Sequence, residues 1–240
     1  LTSSIRRAVT IFEGIGFSRE EGPELEDEWH NFDALNFPDD HPAREMQDTL
    51  FIKQEGRDAL PATQKLLMRT HTSPVQIRYM LANKPPFRVV IPGRVFRNEA
   101  TDASHEVNFY QIEGLMIDKD ISIANFKAIM QEFLKRFYQK DVKIRLRPSF
   151  FPFTEPSFEL DMACSTCNGS GCSVCSQTGW LEVMGAGMVH PNVLKSSKID
   201  PEKWQGFAFG MGWDRIVMMK YKIDDVRLFY SGDIRFLEQF

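Results

Sequence analysis

Residues 93–99 read Gly-Arg-Val-Phe-Arg-Asn-Glu, a polar stretch follows from Ala100 to Glu106, and residues 107–113 read Val-Asn-Phe-Tyr-Gln-Ile-Glu. The two flanking runs have the composition of strands and the polar stretch that of the loop between them, so the region predicts a hairpin. Arg97 then stands at the end of one strand. Strand side chains repeat with period two, which sends Phe109, Gln111 and Glu113 to one face and Tyr110 and Ile112 to the other. A stacking ring, an amide and a carboxylate beside a guanidinium are what a nucleotide pocket needs.

Working outward, Ile5, Ala8, Val9 and Phe12 follow helical spacing from Ser3 to Phe12, and Gly14 and Gly16 end the pattern. A strand is predicted near Phe17 to Pro23, a second helix from Glu24 to Asn36, and another strand around Thr49 to Lys53. Leu60 to Thr70 reads as extended. Val75 to Leu81 reads as a helix, opened by the hydroxyls of Thr72 and Ser73 and by Pro74. Ser122 to Lys140 is the clearest helix, with Ile123, Phe126, Ile129, Met130, Phe133 and Phe137 on one face.

Beyond it, residues 143–147 alternate strictly, with a basic face opposite a buried one. Strands at Ser157 to Ala163 and Gly179 to Val183 flank a run of cysteines, and Phe207 to Phe209 with a helix from Asp214 to Lys220 close the core. Hairpin-linked strands with helices outside them predict an α+β fold, a mainly antiparallel sheet flanked by helices.

The chain has 240 residues, 42% of them hydrophobic, enough for one domain with a single sizeable core. A net charge of -4 gives no global attraction to nucleic acid, so any such contact falls to a local patch, for which Lys143 to Arg147 with Lys135, Arg136 and Lys140 is the candidate. No apolar run reaches membrane-spanning length and the first residues lack a signal-peptide pattern, so a soluble, cytoplasmic protein without membrane contact is expected. Cys164, Cys167, Cys172 and Cys175 lie within twelve residues as C-x2-C-x4-C-x2-C. Four thiols so spaced favour tetrahedral zinc in a closed, structural site, with an iron–sulfur cluster left open by spacing alone.

Phe96-Arg97-Asn98-Glu99 resembles the F-R-x-E core of motif 2 of class II aminoacyl-tRNA synthetases, and Gly210-Met211-Gly212-Trp213-Asp214-Arg215 resembles their motif 3. Two such motifs in order, with several strands between them, are far more specific than either alone. The helix and strand ending at Pro23 take the place of the dimer-forming motif 1. More particular are His41-Pro42-Ala43-Arg44, Thr70-His71-Thr72-Ser73, Gln111-Ile112-Glu113-Gly114, Phe151-Pro152-Phe153-Thr154-Glu155-Pro156 and residues 185–191, Gly-Ala-Gly-Met-Val-His-Pro. Together they resemble the catalytic module of the bacterial phenylalanyl-tRNA synthetase alpha-subunit family over the whole of residues 1–240. The N-terminal coiled coil that this family uses to grip tRNA is not expected within this stretch.

The resemblance implies a class II catalytic fold that joins phenylalanine to ATP as an adenylate and passes the acyl group to tRNA(Phe). It implies catalytic roles for Arg97 on the α-phosphate and Arg215 on the γ-phosphate. In the ATP site it places Glu99 at the adenine amino group, Phe109 stacked on the base, His105 near the phosphates, and Gly210 and Gly212 close to the nucleotide. The amino acid would meet His71, Ser73, Gln111 and Glu113, with its ring between Phe151 and Phe153 above a floor at Ala208. Glu155 matches a magnesium position at the boundary with a beta subunit, Glu159 and Glu182 are weaker candidates for metal or nucleotide contact, and an α2β2 assembly is implied. A synthetase for another amino acid, such as phosphoserine, would need a basic, hydroxyl-rich pocket, which the phenylalanine pair argues against. A non-catalytic tRNA-binding paralogue should have lost Arg97 or Arg215, and both are present. A zinc-dependent nucleic-acid adaptor is weakened because the cysteine run is so small a part of the chain.

Overall fold

The computed structural model describes residues 1–240 apart from 46–48, 57–58, 104, 165–166 and 173–174. Helix α1 (Thr2–Glu13) leads into a two-residue strand β1 (Ser18–Arg19), then β2 (Leu25–Asp27), α2 (Glu28–Asn31) and a 3-10 turn at Asp33–Leu35. β3 (Leu66–Met68) and α3 (Ser73–Ala82) precede the long hairpin of β4 (Phe87–Phe96) and β5 (Asn108–Asp118). There follow α4 (Ile123–Tyr138), β6 (Ile144–Phe151), β7 (Thr154–Ala163), β8 (Trp180–Val189), α5 (Pro191–Ser196), β9 (Gln205–Gly212), α6 (Trp213–Tyr221) and α7 (Ile234–Leu237). No helix among the described residues is long and apolar enough to cross a membrane.

One seven-stranded sheet runs in the order β1-β4-β5-β9-β8-β7-β6, antiparallel throughout except where Ser18 and Arg19 pair in parallel with Val89 and Val90. Alternation along the central strands sorts the two faces. Ile112 and Met116 of β5 with Phe207, Phe209 and Met211 of β9 turn toward α1 and α4, where Phe12 stacks on Phe133 at 4.2 Å between centroids. Leu115 and Ile117 with Ala208 turn the other way, onto Val75, Ile77 and Met80 of α3 and Val193 and Leu194 of α5. By period two, Glu113 and Gly210 share this second face, which is where the functional cavity opens.

The predicted hairpin, the long helix and the antiparallel α+β architecture stand as read, the helix running from Ile123 to Tyr138 with Ser122 as its cap. Several local expectations are corrected. Glu24 to Asn36 is a strand, one helical turn and a 3-10 turn, because Leu25 to Asp27 pair with Leu66 to Met68 before Asp27 caps the short helix at the His30 N–H. Around Phe51 there is a single bridge to Leu67 in place of a strand. The Thr72 hydroxyl does not cap α3 and makes no hydrogen bond of ordinary geometry among the described residues, while the Ser73 hydroxyl donates to Glu113. The basic face of β6 is not an open patch: Arg145 and Arg147 both bond Asp161 of β7, and Arg147 also reaches Glu159 and Glu182. Lys135 and Arg136 pair with Asp141 and Glu132.

Candidate active site

A cavity of about 540 Å³ opens on the second face of the sheet, beneath the segments from Phe32 to Ala43 and from Thr70 to Gln76. Its polar end is organised by Glu113, only 3% exposed. One carboxylate oxygen accepts the Thr72 N–H at 3.1 Å, and the other accepts the Ser73 hydroxyl at 2.7 Å and the Gln76 amide at 2.6 Å. Burial pushes the Glu113 carboxyl up, and these donors oppose the shift. All three are neutral, so this carboxylate faces the cavity with no cation bonded to it among the described residues. A ligand ammonium would supply the missing charge. Gln111 completes the corner, its carbonyl oxygen 3.3 Å from the Thr72 N–H.

Next to them His71 stacks on Phe37 at 6.0 Å and makes no hydrogen bond of ordinary geometry with either ring nitrogen among the described residues. Burial, with Arg97 and Arg69 nearby, pulls its pKa down to about 3. The ring is therefore neutral at pH 7, able to offer one donor and one acceptor. Between pH 6.5 and 3 the unfolded chain carries a proton here that the folded chain does not, so stability falls as pH falls through that window. Urea unfolding at pH 7 and pH 5 is expected to show about 2 kcal/mol of loss that disappears in His71→Asn.

The apolar end is built by a tight turn. Phe151 closes β6 and Phe153 sits in the two-residue connection to β7, so the rings meet through the turn and not by strand alternation. They lie stacked at 5.7 Å and 13°. Gly185 lets this happen, since a Cβ there would stand 2.7 Å from the Phe151 ring. Leu35, Val189, Val193 and the small Ala208 complete the floor.

Arg97 and Glu99 line the other side. The Arg97 guanidinium lies 5.1 Å from the Phe109 ring centre, and its Nε donates to the Thr70 carbonyl at 3.3 Å. Gly210 lies opposite Glu113 in the sheet register. The remaining predicted residues fall outside the lining. Phe109 lies just beyond it, under Arg97. Gly212 pairs with Gln111 and looks onto open space. Arg215 is exposed on the first turn of α6, and His105 is exposed on the hairpin loop, its ring 3.0 Å from Asp102. Glu155 points elsewhere, 72% exposed and 3.2 Å from His190. Glu159 and Glu182 do line the cavity.

Four contributors escaped the sequence reading. Gln76 lies one turn into α3, where its spacing from Ser73 is the only signal. Phe32 belongs to a segment misread as helix, and Phe37 lies just past the predicted end of that helix. Arg69 is 3% exposed, and among the described residues its guanidinium bonds backbone carbonyls, of Arg94 at 2.7 Å, Gly22 at 3.1 Å and Pro23 at 3.2 Å. No sequence pattern marks a backbone partner. Gly93 makes room for it, because a Cβ there would lie 2.3 Å from the guanidinium.

Apart from the cavity, the four cysteines gather at the tip of the β7–β8 hairpin, with sulfurs within 4.8 Å of one another. Three of the separations are 3.8 Å. That is the edge of a tetrahedron whose corners stand ~2.3 Å from a common centre, the zinc–sulfur distance, and is far beyond the ~2.05 Å of a disulfide. Burial raises the Cys167 thiol, but N–H groups of Gly171 and Gly169 bring it down to about 6, favouring the thiolate a metal requires. The donor set fits a tetrahedral soft-ligand ion. Glu155 belongs to no group of three metal-capable side chains among the described residues, so by itself it does not make a magnesium site.

The family model for the tRNA synthetases class II core domain (F) matches residues 1–240. A phenylalanine–tRNA ligase alpha subunit of Pseudomonas fluorescens (strain SBW25) is 54% identical over 240 residues, covering 100% of this chain and 68% of that protein. Alpha subunits of the same description from Chlorobium phaeobacteroides and Prosthecochloris aestuarii are each 57% identical over 230 residues, covering 96% of this chain and 66% of theirs. This chain, matching about two thirds of the length of those relatives, belongs to the class II tRNA synthetase core-domain family, among the phenylalanine–tRNA ligase alpha subunits.

Proposed function

We propose that the cavity activates phenylalanine with ATP and passes the acyl group to tRNA(Phe), in the cytoplasm and in an α2β2 complex with a beta subunit. The observation that carries this reading is the union, in one cavity, of a stacked phenylalanine pair, a buried carboxylate held by neutral donors, and Arg97 with Glu99. The ammonium of the amino acid binds Glu113 and Gln111, with His71 and Ser73 beside it, and the benzyl group enters between Phe151 and Phe153 over Ala208. The α-carboxylate, ionised at neutral pH with a pKa of about 3.5, needs no protein base. Its oxygen attacks the α-phosphorus, a C–O–P linkage forms, the bond to the β-phosphate oxygen breaks, and pyrophosphate leaves.

Catalysis is then alignment and charge stabilisation. Arg97 holds the α-phosphate as negative charge builds on it, Glu99 accepts from the adenine amino group, and Phe109 stacks on the base beneath Arg97. Arg215 and His105 reach the outer phosphates from outside the cavity, and Gly210 and Gly212 leave space for the nucleotide. An ATP substrate brings Mg2+; Glu155, which points away from the cavity, would offer its one carboxylate to a separate Mg2+ at the subunit boundary. Pyrophosphate exchange measured with each amino acid in the complex with its beta subunit tests the reading: phenylalanine should dominate, and exchange driven by a different amino acid would overturn it.

The cysteine tip holds a structural Zn2+. Elemental analysis of reduced, freshly purified protein is expected to give about one zinc per chain, lost together with thermal stability in Cys164→Ser. Metal-free protein of unchanged Tm would remove this assignment.

A further inference from the structure

The stretch after α6 has no part in the chemistry above, yet it is fastened to both nucleotide-binding motifs. Asp214, the residue before Arg215, is 4% exposed. One of its carboxylate oxygens accepts the backbone N–H of Tyr110 at 3.1 Å, and the other accepts the Tyr230 hydroxyl. Tyr110 stands between Phe109 and Gln111, so a single carboxylate ties the start of α6 to the middle of the site strand and to Tyr230. Four residues earlier than Tyr230, the N–H of Val226 donates to the Ala103 carbonyl at 2.9 Å. Ala103 belongs to the hairpin loop that carries His105, and that loop is cinched internally by Asp102, whose N–H donates to the His105 carbonyl at 3.0 Å while its carboxylate accepts the His105 N–H at 2.9 Å. Val226 opens a short 3-10 helix and is itself 3% exposed.

We infer that Val226 to Tyr230 is a positioning element for the nucleotide half of the site, with Tyr230 fixing Arg215 through Asp214 and Val226 fixing the loop of His105 through Ala103. The inference rests on the reading of that half as the ATP site. Both attachments lie on the motif 2 and motif 3 side. Neither touches the walls at Phe151, Phe153 and Ala208 or the Glu113 corner. Although Tyr110 adjoins Gln111, the brace holds only its backbone and leaves the Gln111 side chain untouched, so it acts chiefly on the nucleotide.

Two variants separate this from general loosening. Tyr230→Phe removes one hydroxyl from a buried carboxylate. Val226→Pro removes one N–H at the first position of a 3-10 turn, where proline fits. In the full-length chain assembled with its beta subunit, pyrophosphate exchange is measured with ATP and phenylalanine varied in turn. Each variant should raise KM for ATP about tenfold, as loss of a hydrogen bond within a charged network does, and leave KM for phenylalanine within about twofold. An unchanged KM for ATP in both variants would overturn the inference, as would parallel rises in both KM values with a fall in Tm. A parent complex with no phenylalanine-dependent exchange would instead refute the functional reading on which the inference depends.

Discussion

Arg97→Ala is expected to lower the rate of phenylalanine-dependent pyrophosphate exchange by about 10² or more, equivalent to a few kcal/mol of lost transition-state stabilisation. The size follows from the nature of the step. The nucleophile arrives already ionised, so the barrier consists of aligning it and of carrying charge that grows on the α-phosphate. Arg97 is the cavity-lining guanidinium assigned to that phosphate, and it is seated for the task by the Thr70 carbonyl and the Phe109 ring. Lysine should recover little, since one ammonium cannot give two parallel bonds to phosphate oxygens while resting on a ring. Single-turnover adenylate formation at saturating ATP separates this effect from simple loss of binding. Near-normal exchange in Arg97→Ala would remove the role.

The second large effect is steric. Ala208 lies on β9 with its methyl group turned to the cavity floor, beside Val189 and Val193. Leucine there adds three carbons where the phenylalanine ring must go. Forcing both into the space costs about 1–3 kcal/mol as overpacking, and forfeiting burial of the ring costs about as much again. Ala208→Leu should thus cut kcat/KM for phenylalanine by about 10² or more while leaving ATP binding in the absence of amino acid unchanged. Isothermal titration with each substrate separates the two. Phenylalanine turnover close to that of the parent would show that the ring goes elsewhere.

Much of the site was legible because its determinants are local in sequence. Period two along residues 107–113 placed Gln111 and Glu113 on one face, and the F-R-x-E pattern picked out Arg97, which lines the cavity, whereas Arg215, picked out by G-x-G-x-x-R, stands exposed outside it. What stayed hidden depends on tertiary contact. Acidic and apolar residues from Glu24 to Asn36 mimic an amphipathic helix, but pairing with residues 66–68 captures the first of them as strand. The phenylalanine pair has i, i+2 spacing in either case, and only the turn reveals that the rings stack across a chain reversal. The alternation at 143–147 correctly predicted a basic face. It could not show the acids of β7 and β8 that neutralise it.

Arg69 carries a mechanical consequence. Its single guanidinium grips carbonyls at positions 22, 23 and 94, joining the approach to β2 with the β4 residue three places before Arg97. The floor under the phosphate anchor and a stretch some seventy residues earlier are therefore tied to each other directly. Relative movement of the two, which would blur the aim of Arg97, has first to break the three bonds of that one buried fork.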